Sequence, residues 1–222
     1  MVVISQYKCG SIYLPTKHDD TQVKYTAASG LADVSLDIRG ALNANSIPNK
    51  EYILELRIGN SVTSIAEDGV RNCQQMTYLE LPDNLKTIGN HAFRSCKGLT
   101  SVTIPSKVTS IGNQVFDSCS NLRNLYFLEG LVTIGYRTFG GCPIVTVEIP
   151  NTVTTIGTSA FESCDRLTSI VFGKGLTQMN TRALQSCPSL QNVTFKDKTL
   201  EQVQEMNNYP WGIADTSIIN VA

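Results

Sequence analysis

Apolar residues recur along this chain on a long period. One stretch reads Leu99-x-x-Val102-x-Ile104-Pro105-x-x-Val108-x-x-Ile111-Gly112-x-x-Val115-Phe116-x-x-Cys119, and near-copies of it fill most of the sequence. Cysteines at 73, 96, 119, 142, 164 and 187 mark the period, with gaps of 23, 23, 23, 22 and 23 residues. Self-similarity at a fixed spacing of this length predicts stacked repeats, each burying its apolar face against the next. Within a unit, the alternation L-x-x-L-x-L predicts one short parallel strand, apolar side chains inward and their neighbours outward. Pro82, Pro105 and Pro150 fix φ just after the strand; where Pro is missing, Gly130 and Gly175 stand two residues further on. Val108-x-x-Ile111-Gly112 predicts a second short extended or turn-like edge. Gln114 to Cys119 predicts a short turn or helical turn closing the convex side, with Phe116 as the largest core side chain.

The pattern divides the chain into an N-terminal cap at 1–50, a repeat solenoid at 51–196 and a C-terminal cap at 197–222. Seven parallel strands are expected: the run at 53–58, five copies at the cysteine period, and a last at 190–195. Six steps of about 4.8 Å rise about 29 Å. The terminal units are degenerate, as expected of stack ends. Ala66 and Val70 replace Gly and Phe in the first, and Met179-Asn180 and Leu184 replace Ile-Gly and Phe in the last. In the N-terminal cap, Val2 to Ile4 and Ser11 to Leu14 predict a small hairpin around Lys8-Cys9-Gly10, and Asp33 to Ile38 alternates like a strand. In the C-terminal cap, Thr199 to Met206 predicts a short helix. Thr199 is its N-cap, Gln202 stands at the capping-box position, and Leu200, Val203 and Met206 share one face. Trp211, Ile213, Ile218 and Ile219 are expected to cover the last repeat, so the single tryptophan is read as cap packing and not as a ligand contact.

Composition narrows the function classes. Net charge is −1 and the pI about 6.1 over 222 residues. No basic block is present, which argues against nucleic acid or an anionic membrane as partner. No apolar run approaches the roughly 18 to 20 residues that span a bilayer. The opening Met1-Val2-Val3-Ile4-Ser5-Gln6-Tyr7-Lys8 lacks the basic region and apolar core of a secretory signal. Either the chain is not secreted as written, or a leader or flanking part is missing.

Six of the seven cysteines share one repeat position. Strand spacing would allow rung-to-rung disulfides, but in-register stacking points the thiols the same way into the core. A buried, reduced ladder is the expectation.

Candidate chemistry is sparse. The six ladder thiols lie along an axis and cannot converge on zinc, and no Cys-x-x-Cys pair exists. Phosphate-loop, dinucleotide, zinc-protease and nucleophile-elbow motifs are all missing. His91 sits in an outer turn, matched by Gln114, Arg137, Ser159 and Arg182, and reads as a solvated surface residue. A Cys96–His91 nucleophile is unfavourable because Cys96 belongs to a core rung. A non-enzyme with no cofactor, metal or catalytic residue is expected.

What remains is the outward row of the strands: Glu55/Arg57, Tyr78/Glu80, Ser101/Thr103, Asn124/Tyr126, Thr146/Glu148, Ser169/Val171 and Asn192/Thr194. Most are ordinary sheet-surface residues. Tyr78, Glu80, Tyr126 and Glu148 stand out as candidate partner-binding residues, since aromatic side chains supply contact area at low entropy cost.

The run from Leu99-Thr100-Ser101-Val102-Thr103-Ile104-Pro105 through Ser110-Ile111-Gly112 to Phe116-Asp117-Ser118-Cys119 resembles the BspA-like leucine-rich repeat family over roughly 51–196. The resemblance implies a curved leucine-rich-repeat solenoid with the parallel sheet on its concave face. It also implies adhesion to a protein or glycan partner, typically at a bacterial cell surface, and it carries no catalytic residues. The flanks, including Tyr25 to Leu31 and Asn208 to Ile213, are similar to caps on such repeats in gut-bacterial and bacteriophage-encoded proteins. Two alternatives stay open: a component of a bacteriophage virion, such as a tail or fibre, and a structural spacer with no ligand of its own.

Overall fold

The computed structural model describes residues 23–27, 34–36, 39–47 and 50–222. The hairpin expected around Lys8-Cys9-Gly10 and the N-terminal half of the first cap lie outside the described residues. Short strands β1 (Val23–Ala27), β2 (Val34–Leu36) and β3 (Gly40–Leu42) precede the repeats. Each repeat then contributes a longer and a shorter strand. These are β4 (Ile53–Arg57) and β5 (Val62–Ile65), β6 (Tyr78–Glu80) and β7 (Thr87–Ile88), then β8 (Ser101–Ile104) and β9 (Ser110–Ile111). The series continues with β10 (Asn124–Phe127) and β11 (Thr133–Ile134), β12 (Thr146–Ile149) and β13 (Thr155–Ile156), β14 (Ser169–Phe172) and β15 (Gln178–Met179). The long strand β16 (Asn192–Phe195), helix α1 (Leu200–Gln204) and strand β17 (Ile219–Val221) end the chain.

All seven expected long strands form, and each ladder between repeats is parallel. Among the described residues, antiparallel pairing is confined to β1, which joins β2 and the outer edge of β4. The short strands make a second, seven-stranded parallel sheet in the order β3-β5-β7-β9-β11-β13-β15. The parallel ladders run beyond 51–196 at both ends, because β3 pairs with β5 and β17 pairs with β16. The long strands form two sheets: β2-β1-β4-β6 and β8-β10-β12-β14-β16-β17, with no ladder joining β6 to β8.

The third edge is built of turns, without helix. Every rung places two residues four apart in the left-handed region: Asp68 and Asn72, His91 and Ser95, Gln114 and Ser118, Arg137 and Gly141, Ser159 and Ser163, Arg182 and Ser186. A right-handed helical turn is incompatible with that alternation. Instead the amides point along the stack. The N–H groups of His91, Phe93 and Ser95 donate to the carbonyls of Asn113, Val115 and Asp117 in the next rung, at 2.9, 3.0 and 2.9 Å. All three edges therefore carry backbone hydrogen bonds from rung to rung.

In-register stacking brings each position onto its own copies. Phe93, Phe116, Phe139 and Phe161 form a buried column with ring centroids 5.3, 5.6 and 5.3 Å apart and nearly parallel planes. Phe172 and Phe195 make a second column that ends on Trp211. Trp211 is buried, as the cap reading expects, and donates from Nε1 to Asn207 O at 2.7 Å. The capping box on α1 also forms, Thr199 Oγ1 accepting from Gln202 N and Gln202 Oε1 accepting from Thr199 N. Leu200 departs from its expected apolar face and lies exposed.

Gly89, Gly112, Gly135 and Gly157 form another column. A Cβ on Gly135 would lie 2.6 Å from Gly112 O and 2.7 Å from Gly112 C, so close backbone approach excludes a side chain here. Gly135→Ala is expected to destabilise the protein by about 1–3 kcal/mol, the range for forcing a methyl group into a filled site. Gly141→Asn, at φ +68° with open space around it, should cost much less. Denaturant unfolding of the two variants compares them directly.

The thiol column is reduced, and Cys73, Cys96, Cys119, Cys142 and Cys164 are buried. Cys187 differs from the expectation of six buried thiols: it is only partly covered, because it stands in the last rung beside the cap. The column has a polar purpose. Sγ of Cys96, Cys119, Cys142, Cys164 and Cys187 donates to the carbonyl of Val70, Phe93, Phe116, Phe139 and Phe161 one rung back, at 3.1–3.4 Å. Burial pushes the Cys119 thiol up to about 12 and the thiols of Cys96 and Cys142 well above their usual value. At Cys164 the contact with Cys187 and burial act in the same upward direction.

A thiol raised in the folded state stabilises fully below its unfolded value near 8.5 and loses that contribution as pH climbs toward the folded value. Between about pH 8.5 and 10 the unfolding free energy should therefore fall by up to about 1.4 kcal/mol per pH unit for each of the raised thiols Cys96, Cys119, Cys142 and Cys164. Cys119→Ala should flatten the slope measured by urea unfolding. An unchanged slope would contradict the linkage.

Candidate functional site on the strand face

The alternation of the long strands places the outward row where the sequence predicts. Tyr126 is 58% exposed and Tyr78 39% exposed, while Leu79, Val102, Leu125, Val147, Ile170 and Val193 are buried behind the row. Register aligns the positions laterally: Tyr126 stands beside Thr103, Glu148 beside Val171, and Glu80 beside Arg57.

The four candidate residues do not form one group. They fall into two clusters, on either side of the break between β6 and β8. In the first cluster Arg57 is the organising side chain. Its Nη1 donates to Glu80 Oε2 at 2.8 Å and to Tyr78 Oη at 3.3 Å, and its Nη2 lies 3.5 Å from Glu55 Oε2. The guanidinium also sits 4.5 Å from the Tyr78 ring centroid, within cation–π range. Tyr78 Oη donates to Glu80 Oε2 at 3.3 Å. Burial and the adjacent Glu80 carboxylate raise the Tyr78 phenol above its usual value.

In the second cluster Tyr126 and Glu148 border a shallow depression of about 510 Å³ lined also by Glu129, Thr146, Asn151 and Val171. Glu148 is ion-paired with Lys196, the residue that follows β16. Glu129, exposed two residues past the end of β10, accepts from the backbone of Asn151 and Thr152 at 3.2 and 3.3 Å. The depression thus offers one free aromatic ring beside a carboxylate–ammonium pair and amide groups.

Arg57 and Lys196 are the side chains of these two clusters that the pattern of aromatic and acidic residues misses. Arg57 was legible, since it lies one repeat period from Glu80 and carries the opposite charge. Lys196 was not, because it stands two strands away from Glu148 and outside the alternating row. The Cys96–His91 pairing does not form: Cys96 Sγ faces Val70 O in the core, while His91 Nε2 meets Gln114 Oε1 on the outer edge at 2.9 Å. No helix among the described residues is long and apolar enough to cross a membrane.

A sequence model described as BspA type leucine rich repeat region, in six copies, matches residues 42–167 and 132–209. The chain belongs to the BspA-type leucine-rich repeat family. Solved structures of bacterial leucine-rich repeat proteins share the fold. The Treponema pallidum leucine-rich repeat protein is 25% identical with a TM-score of 0.51, over 69% of this chain and 62% of that one. A leucine-rich repeat protein from Eubacterium ventriosum is 20% identical with a TM-score of 0.51, over 72% of this chain and 38% of that one. The pneumococcal vaccine antigen PcpA is 14% identical with a TM-score of 0.52, over 71% of this chain and 58% of that one. The BspA-type chain described here spans less than two thirds of each of these structures. No curated protein matches it in sequence.

Proposed function

We propose that this BspA-type chain is a non-enzymatic adhesion module that captures a protein or glycan partner on its long-strand face, displayed at a bacterial cell surface. Family membership supports a protein-interaction or adhesion role in general terms. The observation that carries the finer reading is Tyr126, the most exposed large apolar side chain among the described residues, standing at a depression on the sheet surface. Tyr78, Glu80 and Arg57 form a second contact patch held rigid by their mutual bonds. Preorganised aromatic and arginine side chains are the usual anchors of an interface. Nothing in the family match or the structural relatives supports the virion alternative.

The test begins with a partner found by pull-down or glycan array, followed by affinity measurements on variants. Tyr78→Ala with Tyr126→Ala is expected to weaken binding by about 2 kcal/mol or more with little change in stability. Arg137 is an unsuitable control because it holds a buried carboxylate. The exposed Lys97, at the third edge, serves better. Loss of binding in Lys97→Ala but not in the tyrosine pair would place the partner elsewhere. A protein that binds neither class of ligand alone would be a spacer.

A further inference from the structure

Away from the strand face, the third edge gathers three metal-ligating side chains from two successive rungs. The ligand atoms of Glu67, Asp68 and His91 all lie within 4.8 Å of one another. His91 Nδ1 is 3.5 Å from Glu67 Oε1 and 3.9 Å from Asp68 Oδ1. One rung further, Gln114 Oε1 meets His91 Nε2 at 2.9 Å. An amide oxygen only accepts, so Nε2 carries the hydrogen, and Nδ1 is the nitrogen turned toward the two carboxylates. That nitrogen is buried and has no hydrogen-bond partner among the described residues. A ring nitrogen facing two carboxylates calls for a positive charge between them, supplied by a proton or by a metal ion. The outer-turn histidine read as a solvated residue is therefore mostly covered, oriented and aimed.

We propose that Glu67, Asp68 and His91 bind a divalent transition-metal ion of the zinc class. One imidazole with two carboxylates suits such an ion, whereas magnesium and calcium favour all-oxygen sets. Metal–ligand bonds of about 2.0–2.2 Å place neighbouring ligand atoms about 3.0–3.5 Å apart. The observed spacings require a small inward swing, which Glu67, 64% exposed on its side chain, is free to make. Gln114 plays the part of the outer group that fixes the tautomer and ring direction of a ligating histidine. Arg71 Nη1, 3.1 Å from Asp68 Oδ1, holds that carboxylate in place and offsets one of the two negative charges. Three protein ligands leave the remaining coordination positions to water or to a partner's side chain.

The test uses the full chain carrying Cys9→Ser and Cys187→Ser, which removes Cys9 and the partly exposed Cys187 as competing ligands. Calorimetric titration with Zn²⁺ is expected to show one ion per chain, with Mg²⁺ failing to compete at millimolar concentration. His91→Asn keeps a side chain compatible with φ +56° and should weaken Zn²⁺ binding at least tenfold; Glu67→Gln should do the same. Zn²⁺ should raise the unfolding temperature of the parent and of neither variant. Should His91→Asn fail to fold, the exposed Glu67→Gln still decides the matter. The proposal is overturned if Zn²⁺ does not bind saturably at millimolar concentration, or if both variants bind as the parent does. It is equally overturned if the His91 ring resonances report only an ion pair with the carboxylates, unaffected by Zn²⁺.

Discussion

Every rung among the described repeats lies directly on the one before it, and its backbone is hydrogen-bonded to that neighbour on all three edges except at the break between β6 and β8. The consequence is severe for side chains. A position meets mainly its own copies above and below, at the spacing of adjacent strands, about 4.8 Å. A residue is tolerated only if it can stack on itself. Flat rings can, and so Phe93, Phe116, Phe139 and Phe161 form a column with almost parallel planes. Where the backbones of successive rungs approach too closely for a side chain, glycine stands in a column at 89, 112, 135 and 157. Cysteine answers a third demand. It fills a small apolar slot and returns a weak S–H donor to a carbonyl of the preceding rung, which already accepts from a backbone amide at Phe93, Phe116 and Phe139.

Charge cannot stack on itself, and the third edge shows how the fold handles this. Asp117, 2% exposed, lies between Arg94 of the rung before and Arg137 of the rung after, at 3.1 and 2.8 Å. Arg137 continues to Glu162 at 2.7 Å, so sign alternates along the axis. Gly140 belongs to the same arrangement. A Cβ there would lie 2.6 Å from Arg137 Cγ and 2.9 Å from Asp117 Oδ1, so this glycine leaves room for the bridge. Its presence in one rung alone has a local cause, unlike the glycine column. At the end of the stack, Leu184 interrupts the phenylalanine column, and the cap packs there: Leu184 N donates to Trp211 O at 3.1 Å.

The period made most of this architecture readable. Cysteine spacing set the rungs, strand alternation set which residues face inward, and the capping box at Thr199 and Gln202 marked α1. Features that depend on relations between rungs were harder to see. The left-handed residues of the third edge look like a helical turn in one dimension, because Val115 and Phe116 stand four and three residues before Cys119, the spacing of one helix face. Only the identity of the partner positions, Asn72, Ser95, Ser118, Gly141, Ser163 and Ser186, carried the signal. Residues of that kind accept positive φ at lower cost or compete poorly for a helix interior. The break between β6 and β8 has no sequence mark that we can identify. Within the candidate site, Tyr78, Glu80, Tyr126 and Glu148 were placed on the correct face, but their division into two clusters depends on Arg57 and Lys196.

The same stacking rule explains where such a solenoid has freedom to acquire function. Inward positions are held by the columns, and the third edge is held by two left-handed residues per rung. The outward positions of the long strands carry neither restraint. Their side chains stand clear of the ladder, so one rung can hold Tyr126 while its neighbours hold Thr103 and Val171. Variation there costs little backbone energy, and a pair such as Arg57 and Glu80 forms simply because register sets them side by side. A partner that spans several rungs would meet a surface whose composition changes while its spacing does not. With stability carried by repetition, the unrestrained row is where the proposed recognition would place its specificity.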